Sequence, residues 1–334
     1  MVLLALSLCA AAMLAAPTVR LPAPTGPFRV GTTTLDVNTD RLESLTADPD
    51  DHRRFVVQFW YPAGKGHCAP VQYMDAATSA AVAEDLPADF GVHVKVEACG
   101  GVPLARGGRL PVVLYSHGAG ATRFGNTSLL TDLASRGYLV AAMHHTYGSV
   151  LTVFTDGKAV PWNEDQWGTP EAARGHLGVW VDDARSTLDL IRELDRKLGS
   201  LLYGRVDLAR IAYAGHSMGG ATAVAAALKE PRIRAAVDLD GGLPPGAVPL
   251  PVSLPVPLLV LLSEPSQRAS SFAPGEHVYL ARIAGTTHTS FTDSAPIEAK
   301  TMTRSAVGDF LDCTLRNVKS ACDRLTTRIS SGLR

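Results

Sequence analysis

A mostly parallel β-sheet covered by helices on both faces is the fold class this sequence predicts, and three observations carry the prediction. Continuous apolar runs bounded by turn signals recur along the chain, as strands buried on both faces require. They alternate with helix-period segments, which is the order of an α/β fold. One run, Ile211 to Ala214, passes straight into Gly215-His216-Ser217-Met218-Gly219-Gly220 and then into an alanine-rich helix former, Ala221 to Leu228. A serine at such a strand-to-helix turn needs strained backbone angles, so its neighbours two residues away must be nearly free of side chain. Gly215 and Gly219 meet that demand, and Ser217 Oγ is thereby raised above the sheet as a candidate nucleophile.

The elements follow in order. Residues 17–27 are proline-rich and extended; 28–35 and 54–61 read as strands, and 76–90 as a short alanine-rich helix and cap. The apolar run 110–116 is a buried strand leading to His117-Gly118-Ala119-Gly120, followed by a helix over 126–136 and a strand over 138–143. Residues 146–175, with Trp162 and Trp167, read as a long polar loop, a length more often functional than idle. An amphipathic helix is expected over 179–198, its polar face including Asp183, Arg185, Asp189 and Arg192. Beyond the Ser217 turn come strands at 233–239, 258–262 and 278–283 and a closing helix at 297–315. Six prolines between Pro244 and Pro257 keep one connection extended; it is expected as a packed connector, with an acyl pocket or a transient lipid-interface contact as alternatives.

With 334 residues, 46% of them hydrophobic, the chain can bury a large core, and no composition break marks a second domain. Residues 1–16 carry no charge and are rich in Leu and Ala, ending in small residues before Pro17, as a signal peptide does. The expected organisation is therefore a leader over 1–16 and a single domain over 17–334, exported to the periplasm or beyond the cell. A lipoprotein-type Cys9 and a buried N-terminal helix are the alternatives. The net charge of −1, with signs interspersed, gives no electrostatic footing for nucleic acid. Four cysteines remain after the leader, and proximity suggests Cys68 with Cys99 and Cys313 with Cys322, one of three connectivities. Their spacing does not suit zinc, and no metal or cofactor is expected.

A serine nucleophile needs a base within hydrogen-bond reach, and the base needs an acid to hold its tautomer. In an α/β-hydrolase these follow in the order Ser, Asp or Glu, His, each on a loop after a strand. Downstream of Ser217 only His277 and His288 remain; His277 precedes its strand, whereas His288 follows it, at the edge where Ser217 sits. The base is read as His288. For the acid, the residues leave Asp240, Glu264 and Asp238 open, with Asp238 and Asp240 sharing one strand face and Asp240 opening onto Gly241-Gly242. The oxyanion donors are read as the amides of Met218, next to the nucleophile, and Ala119, flanked by glycines. His117, His144 and His216 are read as core-facing, and His145 as core-facing with pocket lining as its alternative.

Several stretches resemble the platelet-activating factor acetylhydrolase family, the secreted and bacterial type of α/β-hydrolase, with cutinase-like polyester hydrolases as more distant kin. They are Leu-Pro-Ala-Pro-Thr-Gly-Pro-Phe-Arg-Val-Gly (21–31), Gln-Phe-Trp-Tyr-Pro (58–62) and Val-Leu-Tyr-Ser-His-Gly-Ala-Gly (113–120). Further on come Leu-Ala-Ser-Arg-Gly-Tyr-Leu-Val-Ala-Ala (133–142), Gly-His-Ser-Met-Gly-Gly-Ala-Thr (215–222), Leu-Asp-Gly (239–241) and Leu-Ser-Glu (262–264). The resemblance implies an α/β-hydrolase fold and a Ser217, Asp240, His288 triad, with the Ser-Glu element outside the chemistry. It implies Ala119 and Met218 as oxyanion donors. It also implies a serine carboxylic-ester hydrolase acting through an acyl-enzyme on short-chain acyl esters, small-molecule or lipid, including phospholipid sn-2 groups. The alternatives are a broad esterase, lipase or polyester hydrolase, and a non-catalytic binding module on the same fold.

Overall fold

The computed structural model describes residues 21–82 and 94–332. Twelve strands occur among them: β1 (Arg29–Leu42), β2 (His52–Ala63), β3 (Ala69–Pro70), β4 (Cys99–Gly100), β5 (Leu110–Ser116), β6 (Leu139–His144), β7 (Leu151–Val153), β8 (Ala159–Pro161), β9 (Val206–His216), β10 (Ala235–Leu239), β11 (Leu258–Ser263) and β12 (Val278–Ile283). The helices are α1 (Ala76–Ala81), α2 (Thr127–Ser135), α3 (Pro170–Arg196), α4 (Met218–Lys229), α5 (Ile297–Arg316) and α6 (Lys319–Ser330). Ten strands form one sheet in the order β12-β11-β10-β9-β5-β6-β2-β1-β4-β3, while β7 and β8 pair as a separate hairpin. The stretch from β6 to β12 is parallel throughout, and β2 enters antiparallel to β6.

Alternation along each central strand sorts the side chains into two layers, as a period of two dictates. On β5, Val112 and Leu114 face α3 and α4, in a core with Ile191, Trp180 and Val224. Val113 and Tyr115 face the other way, into a core with Leu130, Leu133, Phe310 and Leu325 of α2, α5 and α6. Because both faces are covered, these strands read as unbroken apolar runs rather than as alternating ones.

Strands β5 and β12 have the expected bounds, and the others differ mainly in length. Three departures have physical causes. Helix α3 begins at Pro170, inside the span read as loop: Thr169 caps it, its side chain accepting from Ala172 N–H, and Pro170 occupies the first turn where no amide partner is needed. The rest of that span holds the β7–β8 hairpin, turned at Gly157 with φ 85°. Helix α6 was not expected; it follows Asn317, a left-handed cap to α5 with φ 56°. The leader expected at 1–16 lies outside the described residues, as does most of the expected helix beyond Ala81.

Disulfides join Cys68 to Cys99 and Cys313 to Cys322, the pairing suggested by proximity. Among the described residues, no helix is long and apolar enough to cross a membrane and no side-chain cluster suits a metal ion.

Candidate active site

Strand β9 ends at His216, and Ser217 follows with φ 55° and ψ −119°, a strained conformation that turns the chain into α4. The glycines make that turn sterically feasible. A Cβ on Gly215 would lie 2.2 Å from the Gly219 carbonyl carbon, and one on Gly219 would lie 2.1 Å from the Ser116 carbonyl oxygen. Ser217 N–H is tied to the Leu239 carbonyl at 3.0 Å, so the turn is anchored to β10.

His288 stands on the loop after β12, in a short turn whose Thr287 and Ser290 cap each other reciprocally. Its Nε2 lies 2.9 Å from Ser217 Oγ and its Nδ1 lies 2.7 Å from Asp240 Oδ2. A carboxylate can only accept, so Nδ1–H donates to Asp240 and Nε2 is left to accept the serine proton. Asp240 follows β10 with φ 52°, and Ser263 donates to it from both N–H (3.0 Å) and Oγ (2.7 Å). Burial pushes the Asp240 carboxyl up, but the His288 and Ser263 donors outweigh it and hold the group well below the usual carboxylate range. The pair is shielded unequally: the Asp240 side chain is 2% exposed, that of His288 44%, leaving the imidazole open at the mouth.

The other acid candidates stand elsewhere. Glu264 accepts from Gly285 N–H at 2.8 Å, bracing the His288 loop from outside. Asp238 does not share the position of Asp240, because the left-handed residue 240 breaks the strand alternation. Asp238 Oδ1 accepts from Gly241 N–H at 2.6 Å and abuts Gly220 at the start of α4. Burial, opposed by that hydrogen bond, pushes its pKa up to about 7. His277 lies at the opposite end of β12, its carbonyl bonded to Leu258 N–H.

Gly118 passes so close to the elbow that a Cβ there would sit 3.1 Å from Ser217 Cβ. Its carbonyl accepts from His117 Nδ1–H at 2.6 Å and from Ala121 N–H at 3.1 Å. A planar trans peptide then directs Ala119 N–H the opposite way. Met218 is the first residue of α4, so its amide has no partner within the helix, and Ser217 provides no side-chain cap. His117 is buried, its Nε2 accepting from Ser149 Oγ at 2.8 Å, and burial pushes its pKa down to about 3. His216 is also buried, with Nε2 donating to the His288 carbonyl at 2.9 Å.

His145 does not line a pocket. It is fully buried, with Nε2 2.8 Å from Ser116 Oγ and Nδ1 2.8 Å from Asp183 Oδ2. This is a second Ser-His-Asp contact chain, but all three residues are 0% exposed, so no ester reaches it. Asp183 is thus on the inner side of α3, not on its polar face. Buried Arg53 grips it with two bonds of 3.0 and 2.6 Å and also reaches Glu43 at 2.8 Å. Only one cue in the sequence hinted at this network: Arg53-Arg54 opening an otherwise apolar strand.

The fold and this arrangement are those of a serine ester hydrolase of the α/β-hydrolase class. The family model for platelet-activating factor acetylhydrolase, isoform II, matches residues 13–170, and one described as PET hydrolase-like matches residues 180–264. Platelet-activating factor acetylhydrolase of Cavia porcellus is 26% identical over 307 residues, covering 82% of this chain and 69% of that protein. The enzyme of that name from Canis lupus familiaris is 27% identical over 309 residues, covering 82% and 68%. A solved ferulic acid esterase from Streptomyces cinnamoneus superposes with a TM-score of 0.76 at 28% identity, covering 90% of this chain and 94% of that one. The chain is an α/β-hydrolase similar to the platelet-activating factor acetylhydrolases.

Proposed function

We propose that this protein hydrolyses short-chain acyl esters through an acyl-enzyme on Ser217. His288 takes the serine proton as Oγ attacks the ester carbonyl carbon, and the carbonyl oxygen becomes an oxyanion held by the Ala119 and Met218 amides. Asp240 stabilises the imidazolium that forms. His288 then returns the proton to the departing alkoxide, and the carbon–oxygen bond to the alcohol breaks. A water deprotonated by His288 attacks the acyl-enzyme, and collapse of the second tetrahedral species frees the acid and restores Ser217. The observation that carries this reading is the continuous contact from Ser217 Oγ through His288 to Asp240, at 2.9 and 2.7 Å.

Similarity to the platelet-activating factor acetylhydrolases supports reading acetyl and other short acyl groups on phospholipid sn-2 positions as substrates of this protein. A broader esterase is the second reading, favoured by the open His288 mouth and by the PET hydrolase-like match at 180–264. We read residues 17–334 as one domain and the protein as exported, in keeping with its two disulfides.

An ester panel tests the proposal: short p-nitrophenyl esters beside a phosphatidylcholine carrying an sn-2 acetyl group, with wild type and Ser217→Ala. The expected outcome is turnover by wild type, its loss by roughly 10⁴-fold or more in the variant, and fluorophosphonate labelling of Ser217 alone. Full turnover by Ser217→Ala sinks the mechanism; turnover of simple esters without the phospholipid leaves the broader esterase.

A further inference from the structure

The span between β6 and α3 carries an aromatic structure that the reaction as described does not use. Trp162, just after β8, brings the six-membered ring of its indole to Gly120: a Cβ built on that glycine would lie 3.8–3.9 Å from three of the ring's carbons. Gly120 is the residue after Ala119, so the indole stands beside the oxyanion loop. The backbone holds it there. Trp162 N–H donates to the Val150 carbonyl at 2.9 Å, Val150 N–H to the Ala121 carbonyl at 3.3 Å, and Gly120 N–H to the Gly148 carbonyl at 3.0 Å.

The ring is also backed. Trp162 stacks on Trp167 with centroids 5.0 Å apart and planes 15° apart, and Trp167 stacks in turn on buried His176 at 3.8 Å and 18°. Beyond it stands Trp180, edge-on to Trp167 at 6.1 Å and stacked in turn on His145 at 4.1 Å. The inner end of this column is in the core, whereas Trp162 at its outer end stays partly exposed. Ala119, exposed beside it, carries only a methyl group and cannot cover it. Among the described residues Trp162 Nε1–H makes no hydrogen bond. A rigid aromatic face with an unused donor, held next to a reacting carbonyl, suits a flat apolar partner, because offset stacking favours a second ring over a flexible alkyl chain.

We propose that Trp162 forms the wall of a subsite for a planar, ring-bearing group of the ester, making it a specificity-determining residue. The proposal rests on the esterase reading and narrows its substrate class to esters with an aromatic ring on the acyl or the alcohol side. Ring-bearing and ring-free esters should then depend differently on this side chain.

The test compares kcat/KM of wild type, Trp162→Leu and Trp162→Phe by pH-stat. One pair, methyl cinnamate and methyl butyrate, places the ring on the acyl side; the other, phenyl acetate and ethyl acetate, places it on the alcohol side. Butyrylcholine is a fifth substrate. Melting temperature and fluorophosphonate titration establish how much of each variant is folded and reactive. The expected result is that Trp162→Leu lowers the ring-bearing to ring-free ratio in at least one pair about three- to tenfold, and that Trp162→Phe restores most of it. The pair that responds tells which side of the ester the ring occupies. Unchanged ratios in both pairs overturn the proposal while the esterase reading stands. So does a loss larger for butyrylcholine than for any ring-bearing ester, since the face would then be reading a quaternary ammonium. Wild type inert on all five esters removes the esterase reading, and this proposal with it.

Discussion

Asp240 and Glu264 show how much one residue's placement decides. Both are carboxylates beside the His288 loop, yet only Asp240 meets the imidazole, at 2.7 Å, while Glu264 holds Gly285 N–H. Asp240→Asn would present an amide that donates to Nδ1 and fixes the wrong tautomer, so kcat should fall about 10⁴-fold with KM little changed. Glu264→Gln keeps an acceptor for Gly285 and should stay within about threefold of wild type in kcat/KM, a surface-sized effect. The reverse ranking in steady-state kinetics would reassign the acid. Asp238 makes a different prediction. Its pKa, pushed up to about 7 by burial, stands above the ordinary carboxylate value, so the folded state holds that proton more tightly than the unfolded chain. The associated stabilisation is complete below about pH 4 and is lost as pH rises through 7. Asp238→Asn keeps an acceptor for Gly241 and removes the titration. Its melting temperature should therefore fall several degrees less than that of wild type between pH 5 and 8; equal slopes would refute the assignment.

At the scale of elements, the turn from β9 into α4 is the most constrained part of the chain. Gly219 has the Ser116 carbonyl 2.1 Å from its Cβ position, and both partners are backbone, so neither can yield by changing rotamer. Gly219→Ala should destabilise the fold by about 3 kcal/mol or more, in the range of severe steric and strain mutations. Urea unfolding measures this, and a variant of native stability would mean that the turn is looser than its geometry. The loop carrying His288 is pinned with equal care. Asp293, five residues on, accepts from Ser128 N–H and Oγ at the start of α2, and Asn126 donates to the Phe291 carbonyl. Through these bonds the loop carrying His288 is tied to the start of α2 as well as to β12.

For the whole molecule, the buried Arg53–Asp183 pair links the antiparallel edge of the sheet to α3. Burial works against the Arg53 charge, but Asp183 and Glu43 hold it on, raising its pKa above the usual guanidinium value. Arg53→Met leaves Asp183 buried with fewer partners and should cost about 3–5 kcal/mol, read as a lower urea midpoint. The double variant Arg53→Met, Asp183→Leu removes both charges and should recover part of that loss. If the double variant is as unstable as the sum of the two single changes, the pair is not coupled and packing alone is at work.

Much of this architecture was legible in the chain itself. Strands buried on both faces must be continuously apolar, which is why β5 appears at its observed bounds, and a strained serine must be flanked by glycine, which marks the elbow. The order of serine, acid and histidine further restricted the base to His288. The pattern of residues alone left the acid open and the family resemblance singled out Asp240, because Asp238, Asp240 and Glu264 differ in which loop folds over them, and the left-handed turn at Asp240 has no local signature. Nor could it show that Asp183 faces inward: a charged residue on a helix is solvated by default, and its burial is made tolerable by Arg53 from a strand 130 residues away, together with Arg41 and His145. Local rules of period and sterics act over a few residues and can be read in order. Burial of charge and aim of a side chain depend on which distant segments arrive beside it, and the tertiary structure decides that.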